Sequence, residues 1–564
     1  MGRALEDGDG GIHPKNYSER LGCDARLSPV TATTLLPEIF DFVVVGGGLA
    51  GCVVATRLSE RPDVRVVLLE AGGENLYEPS YYATGAQAMF ETDANWGFAT
   101  EPQTELAGAR IPQHRGKVIG GSAAINIGSW SRGIAQDYDA WTAAGAVGWN
   151  WTDARRTFEA IEASKRPDGG GRGRSGPLSL EDTPVVSGMT ALIREACIEA
   201  GYGATEDHNG AKFAGFDLWE TIFPGGRRRN SAEAYLAQAR CRGNLTVLTG
   251  ALATRINVSD GRATGVTIEL GRETRTIAAA REVILCAGVF GTPQLLMLSG
   301  IGPGAELRSH NIDVVADVAG VGSNLIDHLA TRLGWAAAAP SGIAQASSDA
   351  ANAGQLEAWR HSGYGPLSEN LYTSIAFVRS SDAVELPDIE LLFGVNPPQA
   401  LGAENAIGGF SASVAGVQPR SRGVVKLRSP DPHDPPVIDP RYLSDPADLP
   451  VMTGGVRRSL ALAATHALTP YAARCDLHQN VSDDEIADWI RGNSGSMFHP
   501  VGTARMGDAQ DPGAVLDPQL RVRGVTALRV LDASAMPDSI RGHTMAPTLY
   551  IAERGAALIL RNGG

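Results

Sequence analysis

The stretch Asp41–Gly73, DFVVVGGGLAGCVVATRLSERPDVRVVLLEAGG, constrains the fold more than any other part of the chain. Phe42, Val43, Val44 and Val45 form an apolar, largely β-branched run without polar alternation, the pattern of a strand buried on both faces of a parallel sheet. The run breaks into Gly46-Gly47-Gly48-Leu49-Ala50-Gly51, a G-x-G-x-x-G. Gly46 permits a tight turn, Gly48 lets a pyrophosphate approach the backbone, and Gly51 lets the following helix pack close to the sheet. That helix directs free N–H groups at phosphates. A second apolar run, Val64 to Leu69, ends in Glu70, 19 residues after Gly51 (70 − 51). A carboxylate at that strand tip accepts hydrogen bonds from ribose hydroxyls and disfavours a ribose 2′-phosphate. Glycine-rich turns alone also occur in sheets that bind nothing. Strand, glycines, helix, strand and acid in register predict an adenine-dinucleotide site, and this stretch by itself suits a nicotinamide cofactor as well as a flavin.

At 564 residues the chain exceeds what one hydrophobic core supports, so two or three domains are expected. A formal charge of −14 argues against nucleic acid or an anionic membrane as partner. No apolar run reaches the ~18 residues of a membrane span. The first residues lack the apolar segment of a secretory signal, and no hydroxyl follows Met1-Gly2 where myristoylation needs one. A cytoplasmic location is therefore expected, with secretion after processing left open. The six cysteines show neither C-x-x-C nor metal-ligand spacing, and Cys52 and Cys286 fall in apolar elements where buried free thiols are expected.

Residues 1–38 read as an N-terminal extension. Residues 76–110 are loop-rich and too long for a simple connection, which marks a covering or binding segment. A second glycine-rich loop, Arg115 to Asn126, lets backbone lie flat against a large ligand, and Asn126 offers both donor and acceptor. Helical spacing places a helix near Ser187–Gly201, and a hairpin is expected to turn at Ser259-Asp260-Gly261. Val283–Cys286 reads as a buried strand, followed by a helix starting at Thr292-Pro293. From about 336 to 500 the character shifts. Ile389–Phe393 and Val424–Leu427 suggest an antiparallel sheet, with helices at Asp448–Ala464 and Ser482–Arg491, the latter opened by a capping box. The expected organisation is a Rossmann-like domain over 39–335, completed by 501–564, with an α+β substrate domain on an antiparallel sheet over 336–500.

Two histidines stand in framed loops near the end, His499 before Pro500 and His543 after Gly542. Pro500 pushes His499 into an extended backbone conformation. His543 precedes a helix whose N-terminus carries positive partial charge. Alcohol oxidation suits such a pair, because imidazole accepts a hydroxyl proton near neutral pH while a second ring holds the substrate oxygen. A lone histidine is more often structural, and metal ligation lacks nearby carboxylate or cysteine partners.

Seven ordered blocks resemble the glucose–methanol–choline (GMC) oxidoreductase family: VVGGGLAGCVVATRLSE, NWGFATEPQ, RGKVIGGSAAIN, AGVFGTPQLLMLSGIGP, GVGSNLIDHL, HPVGTARMG and RVLDASAMP…GHTMAPT. The resemblance covers residues ~39 to 560 and implies an FAD-binding fold with substrate over the flavin beneath the two C-terminal loops. It places Gly46, Gly48, Gly51, Glu70, Ala71 and Ala253 at the ADP half of the cofactor. Trp96, Gly116, Val118, Gly121, Ser122, Asn126 and Ile127 would lie along its pyrophosphate and ring, Asp532 and Ala533 at the ribityl–phosphate region, and His543 and Met545 at the ring. His499 matches the catalytic histidine and His543 the second position. Ala123 and Val289 depart mildly from the family signatures. Ile125 stands where some relatives carry a histidine joined covalently to the flavin, which implies non-covalent FAD.

The expected activity is FAD-dependent oxidation of an alcohol to a carbonyl, with His499 as general base and hydride transfer to flavin N5. The expected partners are a small alcohol and an electron acceptor, oxygen or another, in a monomer or homodimer. A non-redox lyase or cyclase that keeps FAD as structure is the alternative. An aromatic content of 6% gives no sign of an aromatic cage, so choline is not favoured as substrate.

Overall fold

The computed structural model describes residues 39–167, 171–184, 188–338, 353–395, 409–478 and 480–562. The extension expected at 1–38 lies outside the described residues. Strand Ile39–Val45 pairs in parallel with Val66–Glu70, Phe42 to Val45 in register with Val66 to Leu69. Phe42–Val45 and the whole of Val66–Glu70 are buried, as their unbroken apolar runs require. The sheet continues to Leu245–Thr249 on one side and Glu273–Leu285 on the other, then to Arg262–Leu270 and Ala251–Ser259. Glu273–Leu285 serves two partners along its length. Its first half pairs antiparallel with Arg262–Leu270, and its end pairs in parallel with Ile39–Val45 and Leu528–Val530. The expected hairpin turn is present, with Asp260 and Gly261 at φ of +50° and +71°, the left-handed pair that two-residue turns favour.

A second sheet is antiparallel and runs in the order Arg474–Cys475, Leu329–Ala336, Gly409–Gly416, Ile389–Gly394, Ser374–Val378 and Gly215–Leu218, with Ser494–Ser496 beside Leu329 to Thr331. The shift in character at 336 therefore understates this layer, which begins at Leu329 and recruits a strand from residues 215–218. Helices Asp448–Ala463 and Asp483–Asn493 accompany it, and Ser482 and Glu485 form the expected capping box. Helix Gly188–Glu199 falls where helical spacing placed it.

Three expectations are corrected in detail. Ile389–Phe393 alternates in sequence, yet all of Ile389–Gly394 is buried, so the acid in its middle faces protein rather than water. Val424 and its neighbours form strand Gly423–Lys426 of a separate three-stranded sheet. The helix expected from Thr292-Pro293 begins at Gly288, with Pro293 inside it. A proline there cannot donate to the carbonyl four residues back. That carbonyl, of Val289, accepts from Thr503 Oγ1 at 2.6 Å instead.

The 76–110 segment is ordered by short turns at Glu78–Tyr81 and Ala83–Gly85, helix Ala86–Met89, and a strand pair Phe98–Ala99 with Pro112–Gln113. Cys52 and Cys286 are buried free thiols, as expected. Among the described residues no helix is long and apolar enough to cross a membrane, and no group of acids, histidines and cysteines is placed to hold a metal ion.

Candidate active site

A cavity of about 450 Å³ opens at the carboxyl ends of the parallel strands, the place where open α/β sheets bind ligands. Gly46, Gly48, Glu70, Ala71, Trp96, Gly116, Gly121, Ser122, Asn126, Ile127, Ala253, Asp532, Ala533, His543 and Met545 line it, together with His499. Gly51 and Val118 do not. A Cβ on Gly51 would stand 1.8 Å from the Gly46 carbonyl oxygen, so this glycine serves helix packing. Val118 is buried in a small cluster with Met89 and Ile125.

The two glycine loops are built against each other. Gly46 turns at φ +102°, and Gly121 adopts φ +56° with its Cβ position 2.7 Å from Gly48 Cα. Gly120 N–H donates to Gly47 O at 2.9 Å. Helix Leu49–Leu58 begins at Gly48 without a side-chain cap, which leaves its first N–H groups to the cavity. A Cβ added at Gly48 would meet only Gly121 Cα, at 3.8 Å, so backbone is bare there. Glu70 is buried and accepts from Gly47 N at 2.7 Å and Gly72 N at 2.8 Å, while burial pushes its carboxyl up to about 7. An uncapped helix start, a bare glycine and an acid at the neighbouring strand tip fit an adenine dinucleotide.

At the other end, the His499 and His543 rings lie 4.5 Å apart, centroid to centroid, and edge to face. His499 Nδ1 is 3.1 Å from Nδ1 of His328. One ring donates and the other accepts, and His499 Nε2 makes no hydrogen bond among the described residues. Burial, then His543, His328 and Arg115, hold His499 well below the ordinary imidazole value. Burial likewise pulls His328 down to about 4. His543 Nε2 sits 2.6 Å from Glu390 Oε1 and packs edge-on against Trp219. Glu390 is fully buried and its Oε2 has no partner.

The backbone around His499 is held under strain. Phe498 adopts φ +60°, a left-handed conformation that costs a bulky residue about 1–3 kcal/mol. Its N–H donates to Ser496 Oγ at 2.7 Å, Arg115 Nη2 donates to its carbonyl at 2.7 Å, and His499 N–H donates to Asp327 Oδ1 at 2.8 Å. Asp327 also accepts from Gln113, Tyr442 and Ser496, which makes it the anchor of the histidine loop. At the far side, Asp532 accepts from Gly288 N, Thr292 and Ser534, tying the helix Gly288–Leu298 to the last turn before His543.

Sequence reasoning missed Asp327, His328 and Glu390 as site residues. The first two stand in the block GVGSNLIDHL, and Glu390 is a lone acid in an apolar strand, the one signal that pointed to it. An aromatic wall was missed as well. Phe90 stacks on His114 at 4.0 Å, Phe498 lies beside both, and Trp96 stacks on Phe98 at 5.6 Å, all on the cavity.

A cradle that fits an adenine dinucleotide thus ends at paired histidines, the arrangement of a cofactor-dependent redox site. Family models described as GMC oxidoreductase match residues 40–330 and 419–552. An oxygen-dependent choline dehydrogenase of Brucella anthropi is 39% identical over 530 residues, 92% of this chain and 95% of that protein. An alcohol dehydrogenase [acceptor] of Pseudomonas putida is 37% identical over 533 residues, 93% and 96% of the two. The crystal structure of pyridoxine 4-oxidase from Mesorbium loti superposes with a TM-score of 0.84 at 30% identity, covering 93% of this chain and 99% of that one. The chain belongs to the GMC oxidoreductase family and is an FAD-dependent oxidoreductase.

Proposed function

We propose that the protein oxidises a primary or secondary alcohol to a carbonyl, with His499 as general base. The observation that carries this reading is the unpartnered Nε2 of His499 on a cavity that also holds His543. A buried imidazole held neutral keeps a lone pair for the hydroxyl proton, and loss of that proton makes the carbon a hydride donor. The chemistry that FAD supplies when bound is acceptance of that hydride at N5. His543, fixed by Glu390, orients the substrate oxygen. The N-terminus of helix Met545–Asn562, with Met545 and Thr548 on the cavity wall, would favour negative charge on a ring bound beside it. The test is anaerobic addition of alcohols to the holoenzyme while the flavin spectrum is followed. Bleaching by an alcohol supports the reading, and turnover of a substrate with no bleaching overturns it in favour of a lyase.

The depressed proton affinity of His499 sets the acid limb of activity. A base whose folded value lies below the ordinary ~6.5 stays unprotonated as pH falls through 6.5. The second-order rate constant for flavin bleaching, which reports the free enzyme, is therefore expected to hold its plateau from pH 8 to below pH 6.5. A rate already halved at pH 6.5 by a group on the free enzyme would contradict the base assignment.

We infer that FAD is held non-covalently. Ile125 is an apolar side chain, 2% exposed, at the position resemblance marks for attachment. Acid precipitation should leave the yellow colour in the supernatant. Flavin retained in the washed pellet would refute it.

A further inference from the structure

Arg228 carries a full charge into the interior with only carbonyl-type oxygens for partners. It is 2% exposed. Its Nε donates to Ser80 O at 2.6 Å, Nη1 to Ala123 O at 2.9 Å and Asn126 Oδ1 at 2.6 Å, and Nη2 to Asn126 O. No carboxylate among the described residues lies within ion-pair distance of it, Glu233 attracts it only at longer range, and the Phe223 ring packs 4.5 Å from its guanidinium carbon. Burial of this kind is costly, and it pulls Arg228 down to about 9. Structure alone has a cheaper way to tie these carbonyls, through a neutral donor.

The oxygens it gathers are not scattered. Ser80 belongs to the covering segment, and Ala123 and Asn126 to the second glycine loop, where both line the cavity. Asn126 Oδ1 also accepts from Gly128 N at 3.0 Å. With donors on both sides of Oδ1 the amide has one possible orientation, and its Nδ2 is left without a partner among the described residues. One guanidinium thus occupies two backbone carbonyls and one amide oxygen of the loop, leaving an N–H₂ donor on the cavity side.

We propose that Arg228 is a positioning residue that tunes the bound flavin. It fixes Asn126 as a hydrogen-bond donor toward the cofactor and places a positive charge, with no carboxylate in direct contact, behind the loop that cradles it. This rests on the reading that the Gly116–Asn126 loop holds FAD. A donor and a cation on that side stabilise negative charge gained by the ring and so raise its midpoint potential.

The test is dye-equilibration measurement of the two-electron midpoint potential in FAD-loaded wild type, R228K and R228M, with the FAD dissociation constant measured alongside. Lys keeps the charge and loses the fork that reaches three groups at once. The expected order of potentials is wild type, then R228K, then R228M, each more negative than the last. Should R228M fold poorly or lose FAD, R228K and N126L decide, both expected below wild type. Unchanged potentials in R228K and N126L with FAD bound at full stoichiometry overturn the proposal. Failure of the underlying reading looks different: FAD affinity would then be indifferent to G121V, which places a side chain between the two glycine loops.

Discussion

Replacing His499 by alanine is expected to slow anaerobic bleaching of the flavin by substrate about 10²- to 10⁴-fold, the usual contribution of a positioned general base, while FAD stays bound. The size follows from the surroundings. The ring is 7% exposed, so water is poorly placed to substitute for it. His543 is 4.5 Å away between ring centroids but engaged with Glu390, and His328 touches His499 at the nitrogen that does not face substrate. Stopped-flow absorbance of the flavin at saturating alcohol measures the effect, and a loss smaller than tenfold would remove His499 from the base role. The same variant should keep its melting temperature close to wild type, because the Asp327 anchor is made by backbone N–H and survives the change.

The largest stability effect is expected from Arg172→Met. Arg132, Arg166 and Arg172 meet Glu162, Asp182, Asp207, Asp217 and Glu220 in one buried network, three cations against five carboxylates. Arg172 is fully buried and bonds Glu162 at 2.8 Å, Asp207 at 2.8 Å and Glu220 at 2.7 Å. Deleting it leaves three carboxylates short of a partner, and breaking a buried pair in this way costs about 3–5 kcal/mol. Equilibrium unfolding in urea, monitored by tryptophan fluorescence, should show that loss. A midpoint unmoved within error would mean that water reaches the cluster and screens it. The network joins strand Glu162–Ser164, the short strand Glu220–Thr221 and strand Gly215–Leu218 of the second sheet, so activity should fall with stability.

What could be read from sequence follows from how local each signal is. The cradle Gly46–Glu70 is written in 25 consecutive positions (70 − 46 + 1), where period, glycine spacing and a terminal acid agree. His499 and His543 were visible because proline and glycine frame them. Glu390 and His328 were not, since their meaning lies in contacts across 153 and 171 residues of chain. Gly215–Leu218 is four residues long and joins strands more than 150 positions later, which no local period announces. Pro293 misled the helix start because a tertiary donor, Thr503, answers the carbonyl that proline frees. The aromatic wall shows the limit of composition. An average of 6% says nothing about whether Phe90, Trp96, Phe98 and Phe498 collect on one surface.

The path of the chain between its two sheets has a consequence for how substrate arrives. Strands Ile39–Val45 and Val66–Glu70 lie in the first sheet, Gly215–Leu218 in the second, those from Leu245 to Leu285 in the first, Leu329–Ala336, Ser374–Val378, Ile389–Gly394 and Gly409–Gly416 in the second, and Leu528–Val530 in the first again. Two layers laced together by four passes of backbone, and by the arginine network at one of them, resist parting like the halves of a hinged shell. Among the described residues, Trp96 and Leu371 line the cavity yet remain 36% and 40% exposed, and Gln87 on helix Ala86–Met89 is exposed beside them, so side chains border the cavity where it meets the surface. Traffic past such an edge is expected to depend on side-chain rotation rather than on movement of whole layers.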